Sequence, residues 1–207
     1  MAYISITTDR LELIAGTPEL VQSEMTPSRF TALIDAHIPK AWPPEGHHAG
    51  TMKFTAQRLR EGSDQIGWWC WYFVLLDKSK NERKLIGIGG FKGQATPDGM
   101  VEIGYSVLPE FQRVGYATEA VNALISWAFS HVTIEVVIAE TLPELISSIR
   151  VLEKNGFIKI AGESKPGVLK FLRLARRATL RDEAKLPPKA ISPKGYATRT
   201  HHSLVNL

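Results

Sequence analysis

The stretch VEIGYSVLPEFQRVGYATEAVNALISWAFS, residues 101–130, governs how the whole chain is read. A run with strand character ends at Pro109, a short loop carries Gln112-Arg113-Val114-Gly115-Tyr116-Ala117, and a long amphipathic helix follows at once. The first N–H groups of a helix have no intrahelical partner, and the helix dipole puts partial positive charge there. Gly115 lets the backbone bend and approach a ligand with no Cβ in the way. Strand, glycine loop and helix start, in that order, predict an anion site of the phosphate-binding kind. The alternative is an ordinary tight loop ahead of a packed helix. Other phosphate loops fail on spacing: the chain has no G-x-x-x-x-G-K-[ST], and the cluster Gly87-Ile88-Gly89-Gly90 puts Lys92 where a dinucleotide fingerprint needs its third glycine.

Composition sets the frame around this stretch. With 207 residues, 44% of them hydrophobic, the chain can bury one substantial core, which predicts a single domain over residues 1–175. No apolar run reaches the roughly 18–20 residues that span a bilayer. The start, MAYISITTDRLEL, lacks the basic-then-apolar layout of a secretory signal. The expectation is a soluble, cytoplasmic protein with no membrane partner. A single cysteine, Cys70, excludes an internal disulfide and any multi-cysteine metal site. The net charge of +4 belongs to the end of the chain, where seven Lys/Arg face two Asp/Glu from Arg176 onward. The rest is close to neutral, so the domain offers no electrostatic case for nucleic acid. Residues 176–207, with Pro187-Pro188 and weak periodicity, read as a basic tail that is disordered or loosely docked.

Elements follow from periodicity on either side of the central stretch. Arg10–Ile14 reads as a strand, and Gly16-Thr17-Pro18 as a turn into a helix. Apolar residues Phe30, Leu33, Ile34 and Ile38 predict a helix over 28–38, and a further helix is expected over 49–59. The run IGWWCWYFVLL at 66–76 predicts a strand buried on both faces. With strands over 84–91 and 101–108 it forms an antiparallel meander. A strand over 133–139, parallel to 101–108, follows the long helix. A helix over 145–155 comes next, and strands over 157–161 and 168–174 close the sheet as a hairpin.

The motif spelling adds a resemblance. Gln-x-x-Gly-x-Ala at 112–117, preceded by EIGYxVxPE and followed by TEA, resembles the acyl-CoA signature of the GNAT superfamily of N-acetyltransferases. LIGIGGFKG at 85–93 and SIRVLEKNGF at 148–157 match in the same order, and the match leans toward the branch holding the ribosomal-protein N-terminal acetyltransferases. The resemblance covers roughly residues 8–174. It implies an α/β GNAT acyl-CoA N-acyltransferase fold, a mixed, splayed sheet flanked by helices. It also implies an enzyme that moves acetyl from acetyl-CoA to a primary amine by direct attack, with no metal. Main-chain groups of Ser106, Val107 and Leu108 would pair with the pantetheine amides, and the pyrophosphate would sit on N–H groups of Gln112, Arg113, Val114, Gly115, Tyr116 and Ala117. Arg113 either reaches a phosphate or is a solvated surface arginine.

Catalysis requires an amine without its extra proton, donors for an oxyanion and a proton for the departing thiolate. Glu102, which opens the strand and shares its parity with Gly104 and Ser106, is the candidate general base, and the resemblance puts a strand N–H near Val107–Leu108 in the role of oxyanion donor. The alternative for Glu102 is an exposed strand glutamate in an ion pair. Relatives place a tyrosine acid where this chain has Leu152. In the ribosomal-protein branch a serine takes the role, and Ser148 occupies that position, either as acid or as a cleft-lining serine. Leu145 stands where a pantetheine-binding asparagine is usual, so it could only pack against that arm.

Trp42-Pro43-Pro44-Glu45 falls in the loop where relatives build the acceptor wall. Trp42 and Glu45 are candidates for guiding an amine, with a hydrophobic clamp as the alternative for the loop. His47-His48 and His201-His202 diverge too much to share a metal. The rival functions are a non-catalytic acyl-CoA-binding regulatory module and an interaction role dominated by the tail. The acceptor, a protein N-terminus or a small-molecule amine, is not specified by these residues. The oligomeric state stays open, with the basic tail or an exposed sheet edge able to support a homodimer.

Overall fold

A computed structural model describes residues 4–161 and 165–175; the expectations for the tail, 176–207, lie outside the described residues. Eight strands form one mixed sheet: β1 (Ser5–Thr7), β2 (Leu11–Ala15), β3 (Trp71–Asp77), β4 (Glu82–Phe91), β5 (Met100–Val107), β6 (Val136–Thr141), β7 (Ile158–Ile160) and β8 (Leu169–Leu174). Their order across the sheet is β1-β2-β3-β4-β5-β6-β8-β7. The helices are α1 (Pro18–Ser23), α2 (Pro27–Ile34), α3 (Ala49–Leu59), α4 (Tyr116–Ser130) and α5 (Ile146–Lys154).

The expected meander is present, with β3, β4 and β5 antiparallel in turn. The expected strand over 66–76 begins only at Trp71. Ahead of it Gly67 takes φ +92, and the Trp71 indole N–H reaches back to the Gly67 carbonyl at 2.7 Å. The aromatic run therefore braces a turn before it becomes a strand. The helix expected over 28–38 stops at Ile34, because Asp35 turns left-handed at φ 50 and His37 bridges to Lys84 of β4.

Alternation along the strands splits the core into two layers. Trp71, Phe73, Ile103, Tyr105 and Val107 face α4, which presents Ala117, Ala120, Val121, Leu124, Ile125 and Ala128 at helical spacing. Full burial of a side chain such as Leu124 contributes about 1.5–3 kcal/mol. Tyr72, Val74, Leu85 and Ile88 face the other way, against residues of α1, α2 and α3.

The feature that makes a site is the join between the two halves of the sheet. β5 and β6 run parallel and pair over three residues only, Met100 with Val136, Val101 with Val137 and Glu102 with Ile138. Beyond Glu102 the strands part, β5 staying with β4 while β6 turns to β8. A V-shaped gap opens where the glycine loop begins.

Candidate active site

Between β5 and α4 the chain makes one 3-10 turn, Pro109–Phe111, and then the loop. Arg113 at φ 63 and Gly115 at φ 92 are both left-handed, on either side of Val114. The left-handed Gly115 runs directly into the right-handed residues of α4, a pairing that turns successive N–H groups toward one side. A left-handed backbone is costly for an arginine, as it is for Asp35 and Asn81 elsewhere in the chain. Gly115 is the N-cap of α4 and supplies no side-chain cap, so no side chain competes for the first amides.

A cleft of about 420 Å³ lies over this loop and α5. Val107, Gln112, Arg113, Gly115 and Ala117 line one side, and Ile146, Ser147, Arg150 and Lys154 line the other. Arg113, Arg150 and Lys154 make it cationic, no acidic residue lines it, and none of the three cations is ion-paired among the described residues. Arg150 and Lys154 were not singled out from the sequence. One turn apart on α5, they become part of the site only when α5 folds back across the gap. The Leu145 side chain is not part of the cleft lining; the residue is the N-cap of α5.

The ladder corrects one expectation. Leu108 N–H donates to the Ile86 carbonyl at 2.8 Å, and the Leu108 carbonyl accepts from Phe111 N–H at 2.9 Å. Both groups are engaged, so Leu108 cannot pair with a pantetheine arm or hold an oxyanion. Glu102 likewise gives its carbonyl to Lys92 N–H of the β4 side. In an antiparallel ladder alternate residues share a direction, so Glu102, Gly104, Ser106 and Leu108 turn their backbones to β4. Tyr105 and Val107 turn theirs to the open edge. The Val107 carbonyl is covered by Gln112 Nε2 at 2.9 Å. Ser106, itself buried, shares the direction of Leu108, and the backbone groups on the open side are those of Tyr105 and Val107.

Glu102 sits at the last paired position before the gap, ion-paired with Lys92. Burial pushes its carboxyl above the ordinary range, Lys92 and Lys170 pull it back, and Glu140 adds to the rise. The ion pair anticipated as its alternative role exists, but on a largely buried carboxylate.

Ser148 is buried on α5, and its Oγ lies 3.2 Å from the Tyr105 hydroxyl, which also donates to the Ser148 carbonyl at 3.2 Å. Burial holds the Tyr105 hydroxyl well above its usual pKa, so it keeps its proton. Leu152 is core.

On the opposite face Trp42 packs against Phe30, Tyr72 and His47 at ring separations of 5.9–6.2 Å. Its indole N–H donates to Glu24 at 3.3 Å, Tyr72 Oη donates to the same carboxylate at 2.5 Å, and His47 Nε2 lies 2.9 Å from it. Glu24 and His47 are fully buried. This gives Trp42 the clamp role, while Glu45 stands exposed beside it. Glu24 carries no local sequence signal, since its partners lie 18, 23 and 48 residues away. Tyr72, Ile88 and Ser106 form one cross-strand row, so the clamp stands two strands, about 10 Å, from β5. His48 caps α3 through Gly50 N–H.

This combination, a strand edge opened by splaying and continued into an uncapped, cationic helix start, defines an acyl-CoA-binding α/β fold. Residues 15–158 match the family model described as the acetyltransferase (GNAT) domain, and the chain belongs to that family. It is 37% identical over 79 residues to the uncharacterized N-acetyltransferase YjdG of Bacillus subtilis, covering 38% of this chain and 47% of that one. A second B. subtilis protein, the uncharacterized N-acetyltransferase YoaA, is 34% identical over 80 residues, covering 39% and 45%. The chain thus spans about half the length of the curated relatives it matches. Among solved structures it resembles the ribosomal-protein-S5-alanine acetyltransferase of Vibrio fischeri, with TM-score 0.55, 20% identity and coverage of 84% and 98%. It also resembles RimL, a ribosomal L7/L12 α-N-protein acetyltransferase in complex with coenzyme A, with TM-score 0.57, 17% identity and coverage of 83% and 98%. The expected mixed sheet and GNAT fold are both present. Among the described residues no helix is long and apolar enough to cross a membrane.

Proposed function

We propose that this protein transfers an acetyl group from acetyl-CoA to a primary amine, a protein N-terminus or a small molecule, within a ternary complex. The observation that carries the reading is the continuity of the open β5 edge with the amides of Arg113–Ala117 and with Arg113, Arg150 and Lys154, which make no ion pair among the described residues. A pantetheine arm fits the edge as a short additional strand, and a pyrophosphate fits the loop.

Each remaining demand has a residue. An aliphatic amine with a pKa of roughly 8–10 must lose a proton before it attacks, and Glu102 takes it. Along the strand Glu102 is three residues, about 10 Å, from Tyr105, so the proton travels through water. The amides of Tyr105 and Val107 face the oxyanion and the pantetheine arm. Ser148, hydrogen-bonded to Tyr105, returns a proton to the thiolate.

Titration calorimetry of the wild type and Gly115→Glu with acetyl-CoA tests this. Micromolar binding that the substitution removes supports the reading, and amine screening follows. Binding without turnover on any amine would make the protein an acyl-CoA-binding module. No binding by folded wild type would end the enzyme reading.

A further inference from the structure

Arg10, in the turn between β1 and β2, reaches a loop more than a hundred residues away. Its Nη1 donates to the Val114 carbonyl at 3.0 Å, and its guanidinium lies 4.5 Å from the centre of the Tyr116 ring. Between these two residues, a Cβ on Gly115 would stand 3.3 Å from Arg10 Nη2. One side chain therefore backs three consecutive residues of the loop. The guanidinium is held in turn by Glu119 of α4, whose Oε2 accepts from Arg10 Nε at 2.7 Å. Glu119 Oε1 accepts from Arg10 N–H at 2.9 Å and from Thr8 Oγ1 at 2.6 Å.

We propose that Arg10, braced by Glu119, is a positioning residue that shapes the Val114–Tyr116 backbone to receive the cofactor pyrophosphate. The proposal rests on the reading of this loop as the acetyl-CoA site. The physical need is specific. A helix start is ordinarily stabilised by a side chain that occupies its first amides, and those are the amides a phosphate needs. Here no side-chain cap is present, and two left-handed residues make the loop costly to order. Arg10 fixes the loop from behind and leaves its front open.

Charge leads to the same conclusion. Glu119 in the first turn of α4 favours the helix dipole but would repel an incoming phosphate. Its carboxylate is instead turned onto Thr8 and Arg10, away from the cleft lining. Arg10 thus both shapes the loop and pairs with the carboxylate of Glu119.

The test compares Arg10→Lys and Arg10→Ala with the wild type, using acetyl-CoA and acetyl-pantetheine as probes and Tm as a control. Lysine keeps a charge for Glu119, but its single nitrogen cannot also hold the Val114 carbonyl and cover Tyr116. Loss of one charge-assisted hydrogen bond predicts about tenfold weaker acetyl-CoA binding in the lysine variant, with a larger loss in the alanine variant. Binding of acetyl-pantetheine, which lacks the pyrophosphate, should be unchanged. Equal weakening of both probes would make Arg10 a general stabiliser and overturn the proposal, as would wild-type acetyl-CoA affinity in Arg10→Lys. Failure of the wild type to bind acetyl-CoA would instead overturn the functional reading beneath it.

Discussion

The hydroxyl of Tyr105, on β5, stands 3.2 Å from Oγ of Ser148, on α5, across the gap that the splayed strands leave. The pair joins the strand that would present the thioester to the helix that lines the cleft. If the two act as one proton-donating unit, Ser148→Ala and Tyr105→Phe should each lower kcat by roughly 10- to 100-fold. The double variant should be little worse than either single one. Steady-state kinetics would decide this, and additive losses would separate the two residues.

Glu102 ionises against its burial, and Lys92 is the main group that makes ionisation easier. A general base works in its ionised form, above its pKa. Removing Lys92 raises that pKa, so Lys92→Met should move the acid limb of kcat/KM to higher pH. Glu140→Gln removes a repelling charge and should move the limb to lower pH. Profiles that coincide with wild type would show that Glu102 does not govern the rate.

Arg150 and Lys154 give α5 a cationic face over the glycine loop, where the proposed reading seats the pyrophosphate. Replacing both with alanine should weaken acetyl-CoA binding by about tenfold and flatten its dependence on salt. Calorimetry at several ionic strengths would detect both changes. Unaltered salt dependence would place these cations outside the binding site.

Glu24 accepts hydrogen bonds from the core side chains Trp42 and Tyr72 and pairs with His47. Burial and the Glu24 charge together push the Tyr72 hydroxyl far above its ordinary pKa, so it stays a donor. Glu24→Ala would leave these groups without their acceptor and should cost about 3 kcal/mol of unfolding free energy. Glu24→Gln, which keeps one acceptor oxygen, should cost less. Urea denaturation would measure both, and an alanine variant as stable as wild type would remove the clamp.

The strand, glycine loop and helix start were readable from sequence because their determinants are local, within 30 consecutive residues. The Trp-rich segment was readable only in part. Its composition indicates a buried strand, yet the Trp71 indole is spent on the Gly67 carbonyl, and nothing local distinguishes an aromatic that packs a sheet from one that ties a turn. β1, only Ser5-Ile6-Thr7, is too short to offer a period to detect. Arg10, Glu24 and Arg150 matter through partners that only folding brings near. The misplaced role for Leu108 has a similar origin, because which backbone groups face the gap depends on the register with β4.

The parting of β5 from β6 has a further consequence for how the molecule behaves when empty. A continuous sheet hides its inner strand borders, and this mixed sheet carries two of them in its interior, facing each other across the gap. Unpaired borders are where β-proteins stick to other chains. On the proposed reading, acetyl-CoA is more than a donor of two carbons: it fills the place of an absent strand. A cell short of the cofactor would then hold this protein in its most adhesive form, and the protein's solubility would follow the supply of its own substrate.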